Sequence, residues 1–188
     1  MAMKIKVKEL VKGLYTQAVD ENGNPAPFIN PKGDWIDLRV AEDVVFIAPQ
    51  ALTQQTTVID GRPVKHRDVV FDEQMLPLGI AMELPDGFVA KIRQRSSTTK
   101  KMRLVCASSG AIDTIYRGDK DEWKFYCYAI DHVELHRGDR ICQFEIVPSQ
   151  FATFWQKLKW LFTSKIEFVW VDELGNENRG GHGSTGVK

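Results

Sequence analysis

The chain has 188 residues, 43% of them apolar, and its 25 Lys+Arg balance its 25 Asp+Glu. That length is one domain by prior, long enough to bury roughly 70% of its unfolded surface. The charge balance leaves no global field to draw in nucleic acid or an anionic membrane, and no apolar run approaches the ~20 residues of a membrane span.

The N-terminus, Met1-Ala2-Met3-Lys4-Ile5-Lys6-Val7-Lys8, alternates lysine with apolar residues and lacks the apolar block of a signal peptide. Residues 4–7 therefore read as a strand. Further strands are expected at 35–40, 44–48, 54–59, 68–71, 78–84, 88–94, 102–106, 123–130 and 140–147, each rich in β-branched and aromatic residues. Turn signals separate them, among them Asp60-Gly61-Arg62-Pro63 and Pro85-Asp86-Gly87. Residues 19–34 form the longest irregular stretch of this half. Many short strands at this spacing indicate an all-β sandwich, barrel or jelly roll.

The period changes after Pro148. Phe151, Phe154, Trp155, Leu158, Leu161 and Phe162 recur at helical spacing opposite Gln156, Lys157 and Lys159. The expectation is a short amphipathic helix covering one end of the β core, with a subunit interface or a further partner at 151–162 as the alternative. Trp160 lies off that stripe. Residues 165–171 return to strand character, and the chain ends in a glycine-rich tail. The organisation expected is a β core over 1–148, a helix and strand link over 149–178 and an arm over 179–188.

Cys106, Cys127 and Cys142 are odd in number and contain no CxxC pair, which favours free thiols and a reducing, cytoplasmic setting. His132 and His136 are four apart but carry no HExxH pattern, so a solvent or structural role is expected for them. Arg93-Gln94-Arg95-Ser96-Ser97-Thr98-Thr99-Lys100-Lys101 reads either as a solvated loop or as a polyphosphate site of guanidinium and hydroxyl groups. The tail reads either as a loose end or as a backbone nest for phosphate. It is not a Walker loop, because Val187 stands where the lysine belongs.

Five stretches taken in order resemble the motifs of the trimeric dUTP diphosphatase (dUTPase) family. They are Asp37-Leu38-Arg39; Arg95-Ser96-Ser97; Gly110-Ala111-Ile112-Asp113-Thr114-Ile115-Tyr116-Arg117-Gly118; Gly138-Asp139-Arg140-Ile141-Cys142-Gln143; and Arg179-Gly180-Gly181-His182-Gly183-Ser184-Thr185-Gly186. The resemblance implies a jelly roll (a distorted β-barrel) with one short helix near the C-terminus, assembled as a homotrimer whose sites are shared between subunits. It implies hydrolysis of dUTP to dUMP and pyrophosphate, with Asp113 activating the attacking water. The residue type suits that role, since a positioned carboxylate can accept a proton from water. Gly110, Ala111 and Ile112 would read uracil and Tyr116 would underlie the deoxyribose. Arg95, Ser96, Ser97 and Gln143 would hold the α- and β-phosphates. Arg179, Gly183, Ser184 and Thr185 would close over the γ-phosphate from a neighbouring subunit's tail, with His182 stacking on uracil. Mg²⁺ would ride on the triphosphate, with Asp37 reaching it through water and no direct protein ligand.

The chain departs from the family pattern in four places. His182 stands where the fifth motif usually has phenylalanine, and no glycine occurs between Thr98 and Arg103. Asp119-Lys120-Asp121-Glu122 lengthens the third-motif hairpin, and the 151–162 segment lengthens the link to the tail. The dCTP deaminase of the same fold needs a glutamate where Tyr126 stands. A nucleotide-sensing or partner-binding module on the same fold is the non-catalytic alternative.

Overall fold

The computed structural model describes residues 2–20, 22–29, 33–108 and 110–180. In chain order the elements are β1 (Ala2–Glu9), β2 (Ile36–Arg39), β3 (Val44–Phe46), β4 (Gln50–Ala51), β5 (Gln55–Ile59), β6 (Arg62–His66), β7 (Val69–Val70), β8 (Glu73–Pro77) and β9 (Ile80–Glu83). They continue with β10 (Phe88–Gln94), α1 (Thr98–Met102), β11 (Leu104–Cys106), β12 (Ala111–Ile112), β13 (Lys124–Ala129), β14 (Val133–Leu135), β15 (Arg140–Pro148), α2 (Phe154–Leu161) and β16 (Lys165–Trp170).

Period-two patterning builds the core. In β1 the side chains of Met3, Ile5 and Val7 are buried while Lys4 and Lys6 face out, since successive residues point to opposite faces. β13 does the same with Phe125, Cys127 and Ala129. The strands group as β16-β1-β9, β12-β10-β15-β2 and β11-β13-β8, with three two-stranded ladders beside them. This is the expected all-β jelly roll, but among the described residues the strand orders give no closed barrel. Trp123 and Phe144 meet edge-on at 5.1 Å in its centre. Phe28, from the irregular 19–34 stretch, plugs the seam, with ring centroids 5.5 Å from Tyr15 and 5.1 Å from Phe168. No helix among the described residues is long and apolar enough to cross a membrane.

Three differences from the sequence reading have physical causes. First, the expected strand at 54–59 is β5, but it pairs with β6 in an exposed hairpin, where the sequence marked only a turn at 60–63. Asp60 (φ 51°) and Gly61 (φ 75°) both take the left-handed conformation that a tight two-residue hairpin turn requires. Second, the basic stretch after β10 is not a plain loop, because Thr98–Met102 closes into α1. The glycine missing from this region is replaced by Arg103, which adopts the left-handed cap itself (φ 56°) and donates its N–H to Thr99 O at 3.1 Å. One helix was expected, and two are present among the described residues.

Third, α2 does not turn its apolar stripe onto the core. Phe151 is 85% exposed, Trp155 73%, and Phe154, Leu161 and Phe162 are exposed as well. Attachment comes from the other face, where Trp160 packs on Phe88 at 5.6 Å and Gln156 Nε2 donates to Asp86 O at 3.1 Å. A capping box starts the helix: Thr153 Oγ1 accepts from Gln156 N, and Gln156 Oε1 accepts from Thr153 N.

The turn after β1 is held by a carboxylate. Glu9 accepts the backbone N–H groups of Gly13, Tyr15 and Thr16 and the Thr16 hydroxyl. Burial alone would raise its pKa, but these hydrogen bonds outweigh it and leave it below the ordinary 4.5. A depressed carboxylate stabilises the fold above its unfolded pKa, and that contribution disappears as pH falls through the folded one. Glu9→Gln should therefore destabilise the protein at pH 7 in urea unfolding, with the gap to wild type shrinking below about pH 4.5. A gap unchanged with pH would remove the charge from this account.

Candidate active site

Two clusters of site residues form, and both hang on β10. The first lies at its C-terminal end. On β2, Ile36 and Leu38 point inward, which leaves Asp37 and Arg39 on the opposite side. In the ladder, Gln143 of β15 stands between Asp37 and Arg93, so these three share one face. Arg95 follows directly. Its Nε donates to Asp37 Oδ1 at 2.7 Å, its Nη1 to Arg140 O at 3.1 Å, and Arg140 Nη1 donates to Asp37 Oδ2 at 3.1 Å.

A register shift between Arg140 and Cys142 bends β15 here and buries both Ile141 and Cys142. The Arg95–Ser97 turn is locked from behind by Thr98, which is fully buried. Its hydroxyl donates to Ile141 O at 2.8 Å and accepts from Arg95 N at 3.1 Å. Arg39, Arg95, Lys101, Arg137 and Arg140 line a cavity of about 670 Å³ together with Asp139 and residues of the 13–20 turn. Burial and the nearby Arg140 lower the pKa of Arg39, as crowding of like charge does. Such a groove suits a compact polyanion.

The second cluster is the hairpin that begins at Gly110. Gly110 O accepts from Ile92 N at 2.8 Å, and Ala111 and Ile112 pair with Lys91 and Ala90. Asp113 follows at a tight turn, its carbonyl accepting from Tyr116 N at 3.0 Å. Its carboxylate is half-exposed, with Oδ2 3.3 Å from Arg179 Nη1. Tyr116 is half-buried against the core and donates its hydroxyl to Glu122 O at 2.9 Å. Burial, then the charges of Asp121 and Glu122, raise its pKa, so the ring is held as a neutral phenol. A small cavity of about 120 Å³ beside Gly110 is lined by Ile92, Ser108, Lys124, Phe125 and Tyr126.

The two clusters stay apart in one chain. Ile112 pairs with Ala90, so Asp113 stands level with Val89, six residues from Arg95 along β10. At ~3.4 Å per residue that is about 20 Å. His182, Gly183, Ser184 and Thr185 lie outside the described residues. Among the described residues no group of three or more His, Cys, Asp or Glu could hold a metal ion, and His132 and Asp43's partner His136 are exposed.

Sequence reasoning passed over several participants. Arg140 lay inside a quoted motif and Thr98 just after one, yet neither was assigned a task. Asp119, Asp121 and Glu122 were read only as an insertion. In the fold, Asp121 is 1% exposed and accepts from Gly118 N at 2.8 Å, and Glu122 Oε1 accepts from Gly79 N at 2.9 Å. Nothing in local pattern marks an aspartate in a charged turn as buried.

The dUTPase family profile matches residues 64–156 of this chain. The SPbeta prophage-derived deoxyuridine 5'-triphosphate nucleotidohydrolase YosS of Bacillus subtilis (strain 168) is 40% identical over 159 residues, covering 84% of this chain and 87% of that protein. The deoxyuridine 5'-triphosphate nucleotidohydrolase of Hydrogenobaculum sp. (strain Y04AAS1) is 34% identical over 188 residues, covering 97% and 100%. Among solved structures, the dUTPase from Streptococcus mutans superposes with a TM-score of 0.51 at 22% identity, covering 73% of this chain and 94% of that one. The dUTPase from phage phi11 of S. aureus gives 0.51 at 16% identity, covering 80% and 93%. At these identities the two structures speak for the fold. The two sequence relatives cover 84% and 97% of this chain at 40% and 34% identity, and this chain belongs to the dUTPase family.

Proposed function

We propose that this protein hydrolyses dUTP to dUMP and pyrophosphate at a site assembled from more than one copy of the chain. The observation that carries this reading is the ~20 Å between Asp113 and Arg95 set by the β10 register. A water held by Asp113 must lie within about 3 Å of its carboxylate, next to the phosphorus it attacks. The arginine cluster that would bind the phosphates around that phosphorus cannot be the one in the same chain. A homotrimer, as in the family, supplies it from a neighbour.

In this reading, Asp113 accepts a proton as the water oxygen bonds to the α-phosphorus and the bridge to the β-phosphate breaks, leaving pyrophosphate. The half exposure of the Asp113 carboxylate supports that role. The neutral ring of Tyr116 forms the floor for the sugar, and the Gly110–Ile112 backbone meets the base. The neighbour's Arg95, Ser96, Ser97 and Gln143 grip the phosphates, where positive charge stabilises the developing negative charge.

Mg²⁺ fits as a passenger of the triphosphate. Both Asp37 oxygens already accept from guanidinium groups, so its remaining lone pairs suit a water and not direct ligation. The metal would supply charge neutralisation on the phosphates. A reducing, cytoplasmic setting suits the three free thiols. Hydrolysis of this kind lowers the dUTP available for uracil incorporation into DNA.

The test is turnover of dUTP, dCTP, dTTP and UTP with Mg²⁺, following pyrophosphate and base identity. Pyrophosphate from dUTP alone is the expected result. Deoxyuridine products from dCTP, or no turnover of any of the four, would overturn it.

A further inference from the structure

Cys106 and Cys127 stand directly opposite each other where β11 pairs with β13. The hydrogen bonds on either side fix the kind of pair they form. Ala107 N donates to Tyr126 O at 3.0 Å, and Ile130 N donates to Arg103 O at 2.9 Å. Hydrogen-bonded and non-hydrogen-bonded pairs alternate along an antiparallel ladder, so the flanking pairs 105/128 and 107/126 are of the first kind. Cys106 and Cys127 are therefore a non-hydrogen-bonded pair, the kind whose α-carbons lie about 4.5 Å apart and whose side chains approach most closely.

Both thiols project to one face of the ladder. Leu104 and Ala129, two residues away on the same strands, are fully buried, and so is Cys127. Cys106 lies nearer the surface and donates its thiol to Ser108 O at 2.9 Å. A disulfide needs α-carbons roughly 4.4–6.8 Å apart with the β-carbons on the same side, and the backbone of this pair supplies both. Only the Cys106 side chain has to turn, away from Ser108 O. Cys142 has no such partner, since it belongs to β15 in a different ladder and stands opposite Gln94.

The pair also brackets a defined piece of the chain. Residues 107–126 run between the two cysteines, and that loop holds Gly110–Ile112, Asp113, Tyr116 and the 119–122 turn. Burial raises the pKa of Cys106 and pushes that of Cys127 up to about 12. Cys106, the more accessible of the two, is thus the thiol that meets an oxidant first.

We propose that Cys106 and Cys127 form an oxidation site, closed by a hydroperoxide into a cross-strand disulfide that staples the base of the 107–126 loop. The Cys106 sulfur attacks one peroxide oxygen, the O–O bond breaks, and a sulfenic acid forms as the first water leaves. The Cys127 sulfur then attacks the Cys106 sulfur and the S–O bond breaks. The departing hydroxide takes the Cys127 proton and leaves as the second water. Two thiols have lost two electrons and the peroxide is reduced to water, so a thiol reductant reverses the bond. The staple restricts the unfolded chain more than the folded one, so the oxidised protein resists unfolding better than the reduced protein.

The test treats the full-length protein with hydrogen peroxide, blocks the remaining thiols under denaturing conditions and maps the peptides without reduction. The expected result is a loss of two hydrogens in mass, one cross-linked peptide joining Cys106 to Cys127, and Cys142 recovered as the blocked thiol. Dithiothreitol should return all three thiols. Urea unfolding at one fixed protein concentration should show a higher midpoint for the oxidised form, with the difference absent in Cys106→Ser. That variant sits at the half-buried position and spares the core, and Cys127→Ala serves as the second. A bond to Cys142, a bond between chains, or sulfinic acid at Cys106 with Cys127 still free would overturn the pairing. A midpoint unchanged or lowered by oxidation would overturn the staple.

Discussion

Asp113→Asn is expected to reduce dUTP turnover by roughly 10²–10⁴-fold, the range that a positioned general base contributes. The substitution keeps the size of the side chain and its place at the tight turn, which rests on the Asp113 carbonyl and Tyr116 N and not on the carboxylate. The amide oxygen still accepts from Arg179. What is lost is the capacity to take a proton from water. Nucleotide affinity, measured by calorimetry with a non-hydrolysable dUTP analogue, should remain within a few-fold of wild type. A single-turnover rate above one tenth of wild type would take Asp113 out of the base role.

Arg95→Ala should be the next most damaging change, lowering kcat/KM by about 10²–10³-fold, as loss of one transition-state donor does. Its guanidinium is held in a fixed orientation by Asp37 and by the Arg140 carbonyl, so its remaining N–H groups face the basic groove in a set geometry. Arg95→Lys should recover only a small part, because an ammonium cannot bond Asp37, a carbonyl and phosphate with one planar fork. Asp37 would then rely on Arg140 alone, at 3.1 Å. Equal activity of the Lys and Arg proteins would show that charge suffices and that the fork geometry is idle.

The β architecture was readable because burial follows period two in strands such as β1, where buried Met3, Ile5 and Val7 alternate with Lys4, Lys6 and Lys8. The helix α2 was equally readable as an element and misread in orientation. Its apolar stripe has the right period for a core face, yet only Trp160, off the stripe, touches the core. Periodicity says that a helix has two faces; it does not say which neighbour covers which. Of the exposed β5–β6 hairpin, β5 was read as a strand over 54–59, and β6 escaped for a related reason. Its residues have strand character, but both faces lie in solvent, so burial contributes no alternation to read.

The candidate site divides in the same way. The residue types were determined by the sequence: a carboxylate and a phenol bracketed by glycines, an arginine followed by hydroxyls, and a fourth stretch with Arg140 and Gln143. Chemistry restricts those tasks to few side chains, so the types alone are informative. Tertiary structure decided who stands beside whom. The β10 ladder holds Arg95 and Asp113 about 20 Å apart, a consequence of register that no local pattern encodes. It also decided that an apparent insertion binds the segment leading into the tail. Buried Asp121 accepts from Arg179 N, 58 residues further along the chain. A contact of that separation exists only once the sheets have formed, and the sequence on either side of it is ordinary turn and ordinary tail.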